Sequence, residues 1–211
     1  MFQDEYSRWC QAELVDFDLK RELTEIAGDE DAIRERFAAS LSFGTAGLRG
    51  TLGVGTNRMN IWVVRQATQG IADWVKTKGG SQTVAISYDS RLKGWNFARD
   101  AASVLAANGI QVRLYDELMP VPALSFATRY YNCNAGIMIT ASHNPAKYNG
   151  YKAYGADGCQ VTDEDAAVVY AAIQKTDVLG GAKFMSFAEG VEKGLIRFVG
   201  DDCKEAFYAA V

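Results

Sequence analysis

The sequence predicts an α/β fold in which helices sandwich a mixed, mostly parallel sheet, with a helical lead-in before it. Short apolar, β-branched runs at residues 83–88, 111–115 and 135–140 alternate with longer helical patterns, and this order is typical of βα units. Hydrophobic residues make up 48% of the 211-residue chain, which is enough to bury a substantial core.

Helical periodicity comes first along the chain. Apolar residues among polar neighbours predict helix within residues 3–39, with a second stretch at 31–41. Four further helices are predicted, at residues 60–78, 96–108, 122–131 and 163–174. Thr162 is the expected cap of the last of these. We expect residues 180–200 to be less regular and residues 201–211 to be helical.

Three segments follow from this pattern. Residues 1–40 are expected to form a helical extension, residues 41–200 an α/β domain, and residues 201–211 the start of a linker or helix towards a second domain. The last segment has a helix-like composition that stops without a cap or breaker, so the chain looks truncated.

Chemically reactive side chains follow the third predicted strand. Ser142 is next to His143, the one histidine of the chain, and Lys152 lies ten residues further on. Ligands bind at the carboxyl ends of strands in open α/β sheets. Pro145 has a fixed φ and restricts Asn144, so the chain around Ser142 is expected to be stiff and exposed.

The dipeptide Asn149-Gly150 is typical of a two-residue hairpin turn. We expect this turn to return Lys152 towards Ser142, where its charge would stabilise a phosphate or a transferring phosphoryl group. The plainer alternative is that Ser142 is a turn or cap residue. Residues 155–158 separate two short strand-like pieces and predict a second, small hairpin.

The position of the histidine argues against a Ser-His-Asp hydrolase. Such a triad needs an imidazole that approaches the serine from elsewhere in the fold, but His143 adjoins Ser142, and neighbouring side chains diverge in extended backbone. His143 stays a candidate for an electrostatic or proton-handling role. The structural alternative is that His143 holds the loop by hydrogen bonds.

Two separated motifs resemble those of a known family. Residues 140–154, TASHNPAKYNGYKAY, resemble the phosphoserine loop of the α-D-phosphohexomutases, the phosphoglucomutase and phosphomannomutase superfamily. A second hallmark, FGTAGLRG, stands at residues 43–50, and the similarity continues through GTNRMN at 55–60 and YDSR at 88–91. The form of residues 43–50 looks most like the longer bacterial phosphoglucomutases and their phosphopentomutase-like relatives.

The resemblance implies a role for each matching residue. Ser142 would carry the phosphoryl group and exchange it with the substrate, and its phosphate would be one ligand of an essential Mg²⁺. Lys152 matches a lysine implicated in proton transfer, Arg49 an arginine that supports the phosphoryl group, and His143 the histidine beside the phosphoserine. Four residues are candidates for phosphate binding: Thr45, Arg49, Asn144 and Lys152.

Two further groups have their own physical alternatives. Glycines within residues 44–50 permit a close backbone approach, and Arg49 offers a planar fork suited to phosphate oxygens, although a plain turn with a surface charge would look similar. Asp89 and Arg91 should share the carboxyl edge with Ser142. We favour a structural role, in which Asp89 and Ser90 are turn and cap residues and Arg91 pairs with a nearby carboxylate, and we keep a supporting role behind the site as the alternative.

The resemblance implies the domain I fold of these mutases and a phosphoserine-dependent intramolecular phosphotransferase. The expected reaction interconverts the 1-phospho and 6-phospho forms of glucose or mannose, with a sugar 1,6-bisphosphate as intermediate and activator. Family members have four domains, and the resemblance covers only the first and the approach to the second. We therefore expect this chain to be inactive alone.

Expected partners are small-molecule sugar phosphates and the remaining domains of the same polypeptide. One alternative is a phosphopentomutase or a sugar-1,6-bisphosphate synthase. An alternative of another class is a non-catalytic binding module with the same fold.

Composition limits the other classes of function. The net charge is −4, from 22 basic and 26 acidic residues, and without a basic cluster no nucleic-acid partner is expected. The four cysteines form no Cys-x-x-Cys pair, so neither a zinc site nor a disulfide framework is indicated. No signal-peptide pattern or membrane-length apolar run is present, so no membrane partner is expected and a reducing cytoplasm is the expected location.

Overall fold

The computed structural model describes residues 1–45 and 47–211. Within these residues a six-stranded sheet has the order β1-β5-β4-β2-β3-β6. The strands are β1 (Leu48–Thr51), β2 (Thr83–Tyr88), β3 (Gln111–Leu114), β4 (Ala135–Ile139), β5 (Tyr148–Gly155) and β6 (Ile196–Phe198). Strands β4, β2, β3 and β6 run parallel, and β5 is antiparallel to both of its neighbours. The predicted mixed, mostly parallel sheet is confirmed.

Helices pack on both faces of the sheet. They are α1 (Phe2–Gln11), α2 (Phe17–Glu25), α3 (Glu30–Phe37), α4 (Ile61–Lys78), α5 (Gly94–Ala107), α6 (Val121–Tyr130), α7 (Asp163–Lys175), α8 (Phe187–Glu192) and α9 (Asp201–Ala209). None of these helices combines the length and apolar character that crossing a bilayer requires.

Alternation along the strands divides the interior into two cores. Val84 and Ile86 of β2 face a large core that includes residues of α4, α5 and α7, whereas Ala85 faces a smaller core with Leu124 of α6 and Phe207 of α9. Successive side chains of a strand point to opposite faces, so this division explains why every residue of β2 is buried. The predicted sandwich of helices is therefore confirmed.

The N-terminal region contains three helices where the sequence predicted two stretches. Asp16 and Asp29 explain the difference, because their side chains accept hydrogen bonds from the Asp18 and Ala32 amides and so begin α2 and α3. Trp9 of α1 is completely buried and belongs to the large core. The division into segments 1–40, 41–200 and 201–211 stays a proposal.

Two strands and one helix were not predicted from the sequence. Residues 180–200, expected to be less regular, contain α8 and β6, and residues 43–50 run into β1. Both strands have four residues or fewer and lie at the ends of the sheet. Such short edge strands carry too few residues for an apolar run or an alternating pattern to be recognised.

The predicted turn at Asn149-Gly150 was wrong, because both residues lie inside β5. A Cβ on Gly150 would come within 2.5 Å of the Thr140 carbonyl oxygen and 2.8 Å of that of Leu48. The buried Asn149 side chain donates to the Leu92 carbonyl. These residues therefore serve close packing between strands, and the chain reverses earlier, within residues 140–147.

The small hairpin predicted around residues 155–158 is confirmed. The Gly155 amide donates to the Cys159 carbonyl at 2.8 Å, and the Val161 amide donates to the Ala153 carbonyl at 3.2 Å. Gly158 has a φ of +77°, a conformation that glycine adopts without steric cost.

Candidate active site

Ser142 stands just past the carboxyl end of β4, in residues 140–148, which we call the serine loop. The backbone φ of Ser142 is +57°, in the left-handed region that residues with a Cβ rarely adopt. Ser142 and His143 are both exposed. The Ser142 hydroxyl therefore stands at the edge of the sheet, open to solvent.

The imidazole of His143 lies beside this hydroxyl, with 3.3 Å between Ser142 Oγ and His143 Nδ1. Divergence of neighbouring side chains was expected for extended backbone, and the positive φ of Ser142 removes that condition. Across residues 1–45 and 47–211, no carboxylate forms a hydrogen bond or ion pair with His143. The arrangement consequently lacks the orienting acid of a Ser-His-Asp triad.

A buried hydroxyl holds the amide of Ser142. The Ser142 N–H donates to Thr140 Oγ1 at 3.0 Å, and the Thr140 hydroxyl donates to Asp89 Oδ2 at 2.5 Å. The other oxygen of Asp89 accepts the Arg91 amide at 3.1 Å. The segment after β2 is thereby linked to the serine loop, as the shared carboxyl edge predicted.

Arg91 contacts the serine loop directly. Its guanidinium donates to four backbone carbonyls of this loop, those of Ser142, Asn144, Pro145 and Tyr148. Its Nε lies 3.6 Å from Asp89 Oδ2, so the pairing with a carboxylate expected from the sequence is the longest of its five contacts. The structure thus brings Asp89 and Arg91 to Ser142.

Arg49 and Lys152 lie on neighbouring strands. Arg49 of β1 is opposite Gly150 of β5, and Lys152 is opposite Met138 of β4. Because directly paired residues and every second residue of a strand share a face, both cations project from the same face of the sheet. In the described part of the chain, neither Arg49 nor Lys152 forms an ion pair or a side-chain hydrogen bond. Neither side chain is therefore hydrogen-bonded to Ser142.

Within the glycine-rich segment, residues 43–50, Gly47 and the residues of β1 pack against β5. Gly44 and Gly47 close a tight turn, in which the Gly47 amide donates to the Gly44 carbonyl at 2.7 Å. Gly47 has a φ of +75°, and a Cβ there would come within 1.9 Å of the Tyr151 carbonyl oxygen and 2.8 Å of Lys152 Cα. The two sequence motifs therefore meet at the backbone that carries Lys152.

Thr45 and Asn144 are both half-buried. Thr45 lies in the turn of the glycine-rich segment. The Oδ1 of Asn144 is buried without a donor in the described residues, while its backbone carbonyl is bound by Arg91. Phosphate binding by these two residues stays a prediction.

Metal ligands are sparse around the serine. No group of three or more His, Cys, Asp or Glu side chains suited to a metal ion occurs in residues 1–45 and 47–211. Asp89 is the carboxylate tied to the serine loop, and both of its oxygens are engaged by Thr140 and Arg91. These residues do not fit a complete Mg²⁺ site, so most ligands of such an ion would have to come from outside this chain.

Sequence reasoning missed the importance of Thr140 and understated that of Arg91. Thr140 was assigned only to the end of a strand. A polar residue that ends an apolar strand two positions before a candidate nucleophile was the available signal. For Arg91, no local pattern indicates that a side chain from the end of β2 reaches the carbonyls of a loop 51 to 57 residues away.

Fold and site together define a class: an α/β domain that presents one exposed serine hydroxyl from a tightly held loop at the edge of a mixed sheet. Residues 40–179 match the family model described as phosphoglucomutase/phosphomannomutase, alpha/beta/alpha domain I. The chain belongs to this family, and the resemblance stated from the sequence is confirmed.

Individual relatives agree with this membership. The chain is 46% identical over 132 residues to a phosphoglucomutase of Staphylococcus haemolyticus, a match that covers 63% of this chain and 24% of the relative. It is 38% identical over 171 residues to a phosphoglucomutase of Staphylococcus saprophyticus, covering 81% of this chain and 31% of the relative. The chain thus spans less than a third of either relative.

A solved structure shares the fold. It is that of a putative phosphomannomutase from Thermus thermophilus, with a TM-score of 0.61 and 30% sequence identity. The match covers 74% of this chain and 35% of the other. The helix-flanked mixed sheet described above is therefore the fold of domain I in this family.

Proposed function

We propose that this chain supplies the phosphorylatable serine of a phosphohexomutase, which interconverts the 1-phospho and 6-phospho forms of glucose or mannose. The observation that carries the proposal is Ser142 itself, exposed at the sheet edge while its backbone is held by side chains from other segments. Membership of the phosphoglucomutase/phosphomannomutase family adds support.

In the proposed reaction the phosphoryl group on Ser142 passes to a hydroxyl of the sugar monophosphate. The bond from phosphorus to Ser142 Oγ breaks as the bond to the sugar oxygen forms, and the sugar 1,6-bisphosphate then returns its other phosphoryl group to Ser142. His143 Nδ1 lies 3.3 Å from Ser142 Oγ; in this proposal it would give a proton to that oxygen as the phosphoryl group leaves and take the proton back in the return step. Lys152 is our candidate for proton transfer at the sugar hydroxyl.

Positive charge is the second requirement, because negative charge spreads over the oxygens of a transferring phosphoryl group. Arg49 and Lys152 share a face of the sheet and have no carboxylate partner among the described residues, so their charge would be available to the transferring group. Bound Mg²⁺ would neutralise further charge. The phosphate of Ser142 is the ligand that this chain would contribute to it.

Substrate binding and the remaining metal ligands are assigned, in this proposal, to further domains of the same polypeptide. The chain spans 24% and 31% of the two staphylococcal relatives, and rate enhancement depends on groups that clamp the substrate in a reactive geometry. We therefore expect negligible turnover from these 211 residues alone. A reducing cytoplasm stays the expected location.

Replacement of Ser142 tests the proposal. In the polypeptide that the gene encodes, Ser142→Ala should lower conversion of glucose 1-phosphate to glucose 6-phosphate by at least about 10³-fold, because the phosphoryl acceptor is lost. Intact-mass analysis should find one phosphate that maps to Ser142 and is absent from the variant. Ser7→Ala, at an exposed position of α1, is the matched control, and undiminished turnover in Ser142→Ala would refute the proposal.

A further inference from the structure

The guanidinium of Arg91 binds backbone carbonyls of the serine loop from Ser142 to Tyr148. Its Nη1 donates to the carbonyl oxygens of Pro145 at 3.2 Å and Tyr148 at 2.9 Å, and its Nη2 donates to those of Ser142 at 2.6 Å and Asn144 at 2.7 Å. The four acceptors lie on both sides of Pro145, from Ser142 to Tyr148. One rigid, planar group therefore fixes the spacing between these acceptors.

Arginine is suited to this arrangement in a way that lysine is not. Its planar fork carries four terminal N–H groups on two nitrogens in a fixed geometry, while lysine has three donors on one freely rotating nitrogen. The Arg91 side chain is 12% exposed. Its bonds to Asn144 and Tyr148 are partly buried, whereas its bonds to Ser142 and Pro145 are exposed. With all four acceptors bound, no terminal N–H group remains for a phosphate.

Ser142 needs such a hold because its φ of +57° is unfavourable for a residue with a Cβ. A strained conformation of this kind persists only where the surroundings over-determine it. Side chains bind both backbone polar groups of Ser142: its N–H donates to Thr140, and its carbonyl accepts from Arg91. The backbone is thereby fixed from two sides while the hydroxyl stays exposed.

We propose that Arg91 is a positioning residue that fixes the left-handed backbone of Ser142 and so aims its hydroxyl out of the sheet edge. Asp89 acts on the opposite side of Ser142 through Thr140. The proposal rests on the proposed function of Ser142, and it assigns Arg91 no contact with substrate or phosphate.

Amide hydrogen exchange in the 211-residue chain tests the positioning role directly. The reporters are the amides of Ser142, Asn144 and Tyr148, each of which donates a hydrogen bond within the loop. Arg91→Lys keeps the charge but loses the fork, so we expect these amides to exchange about 10- to 100-fold faster. Core amides of β2 and β4 should keep their wild-type rates.

Arg65→Lys is the matched control. Arg65 is equally buried at 11% exposed, and its guanidinium pairs with Asp100 at 3.2 Å. This substitution removes an arginine fork of similar burial from α4 and should leave the reporter amides unchanged. In Arg91→Ala, millimolar guanidinium should restore protection of the loop amides, and methylammonium, which has no planar fork, should not.

Steady-state kinetics of the encoded polypeptide supply the second measurement. Arg91→Lys should lower kcat for the sugar-phosphate interconversion by about 10- to 100-fold, while KM changes by less than about twofold, because the nucleophile is displaced and substrate contacts are not. If the wild-type polypeptide transfers no phosphate, the proposed function fails. The exchange experiment still decides the role of Arg91 in that case.

Two outcomes would overturn the inference. Unchanged exchange of the loop amides in Arg91→Lys would mean that the fork does not hold the loop. Equal acceleration of the loop and of the core strands, or loss of folding in Arg91→Lys, would mean that Arg91 supports the fold as a whole and has no specific positioning role.

Discussion

The serine loop and the glycine-rich segment both adjoin β5, but they are held there by opposite means. Side chains hold the serine loop, since Arg91 and Thr140 bind the backbone polar groups of Ser142. The glycine-rich segment is held by the absence of a side chain, because Gly47 packs its backbone where a Cβ would overlap Tyr151. Hydrogen bonds fix the first region, and steric fit fixes the second.

This difference predicts two kinds of response to substitution. In a hydrogen-bonded loop each bond can be removed separately, and the surrounding residues need not move when one is lost. At a close backbone contact an added Cβ forces the backbone itself to shift, because backbone atoms cannot move aside as a flexible side chain can. Changes at Gly47, where the backbones approach closely, should therefore destabilise the whole chain, whereas changes around the serine loop should act locally.

Gly47→Ala should give the largest effect. The new Cβ would lie within 1.9 Å of the Tyr151 carbonyl oxygen, and alanine would have to adopt a φ of +75°. Overlap and backbone strain together should lower the free energy of unfolding by about 3–5 kcal/mol. Urea unfolding followed by circular dichroism measures the change.

Gly44→Ala is the control from the same turn. Nothing lies within 4 Å of a Cβ at Gly44, so we expect a change below about 1 kcal/mol. Equal stability of the two variants would break the comparison, because it would show that the segment does not depend on close approach at Gly47.

The sequence predicted those parts of the fold whose signals are local. The strand that feeds Ser142, the helix that begins after Asn60 and the cap at Thr162 all follow from apolar periodicity or capping within a few residues, and the structure agrees. Ser142 could be singled out because a stiff, proline-containing loop follows a buried strand. Local physics was sufficient for these features.

Features that depend on distant partners could not be predicted in this way. Gly150 belongs to a turn-like dipeptide, yet the carbonyls of Thr140 and Leu48 on the two neighbouring strands require glycine inside β5. Arg91 was expected to pair with a carboxylate, and besides its contact with Asp89 it binds carbonyls more than 50 residues further along the chain. In both cases tertiary contacts, which no sequence window contains, decide the role of the residue.

Thr140→Val should give an intermediate effect that stays within the serine loop. Valine keeps the shape of threonine but removes its buried hydroxyl, so the Ser142 N–H and the partly exposed Asp89 Oδ2 each lose a hydrogen-bond partner. We expect the free energy that protects the serine loop from local opening to fall by about 1–3 kcal/mol. Amide exchange at Ser142 should become faster while the amides of β2 and β4 keep their rates.

Thr128→Val is the buried control for this prediction. The Thr128 hydroxyl donates to the Leu124 carbonyl within α6, and that carbonyl keeps its helical partner when the hydroxyl is removed. We expect little change in stability and none in the Ser142 amide. An equal effect of the two substitutions would show that burial of a hydroxyl, and not its place in the serine network, sets the cost.

Lys93→Gln should have the smallest effect on stability. It tests whether the ion pairs of Lys93 also help to hold the serine loop. Lys93 stands two residues after Arg91 and immediately before α5, and its Nζ lies 3.3 Å from an oxygen of Asp16 and 2.9 Å from one of Asp18. The bond to Asp18 raises the pKa of Lys93, and the same bond lowers the pKa of the Asp18 carboxyl. The pair should therefore add stability above the ordinary carboxyl pKa of about 4 and below the ordinary lysine pKa of about 10.4.

The pH dependence of the urea midpoint shows whether Lys93→Gln acts through the lost charge or through the backbone. Because the folded pKa of Asp18 lies below its ordinary value, the urea midpoint of Lys93→Gln should fall slightly below wild type at about pH 7, and this difference should shrink as the pH falls from about 4 to about 2. Lys20→Gln, an exposed change on α2, is the control.

Exchange of the Ser142 amide should stay at its wild-type rate, because the contacts of Arg91 do not pass through Lys93. Faster exchange of the Ser142 amide in Lys93→Gln would show that contacts with the N-terminal helices also help to fix the serine loop.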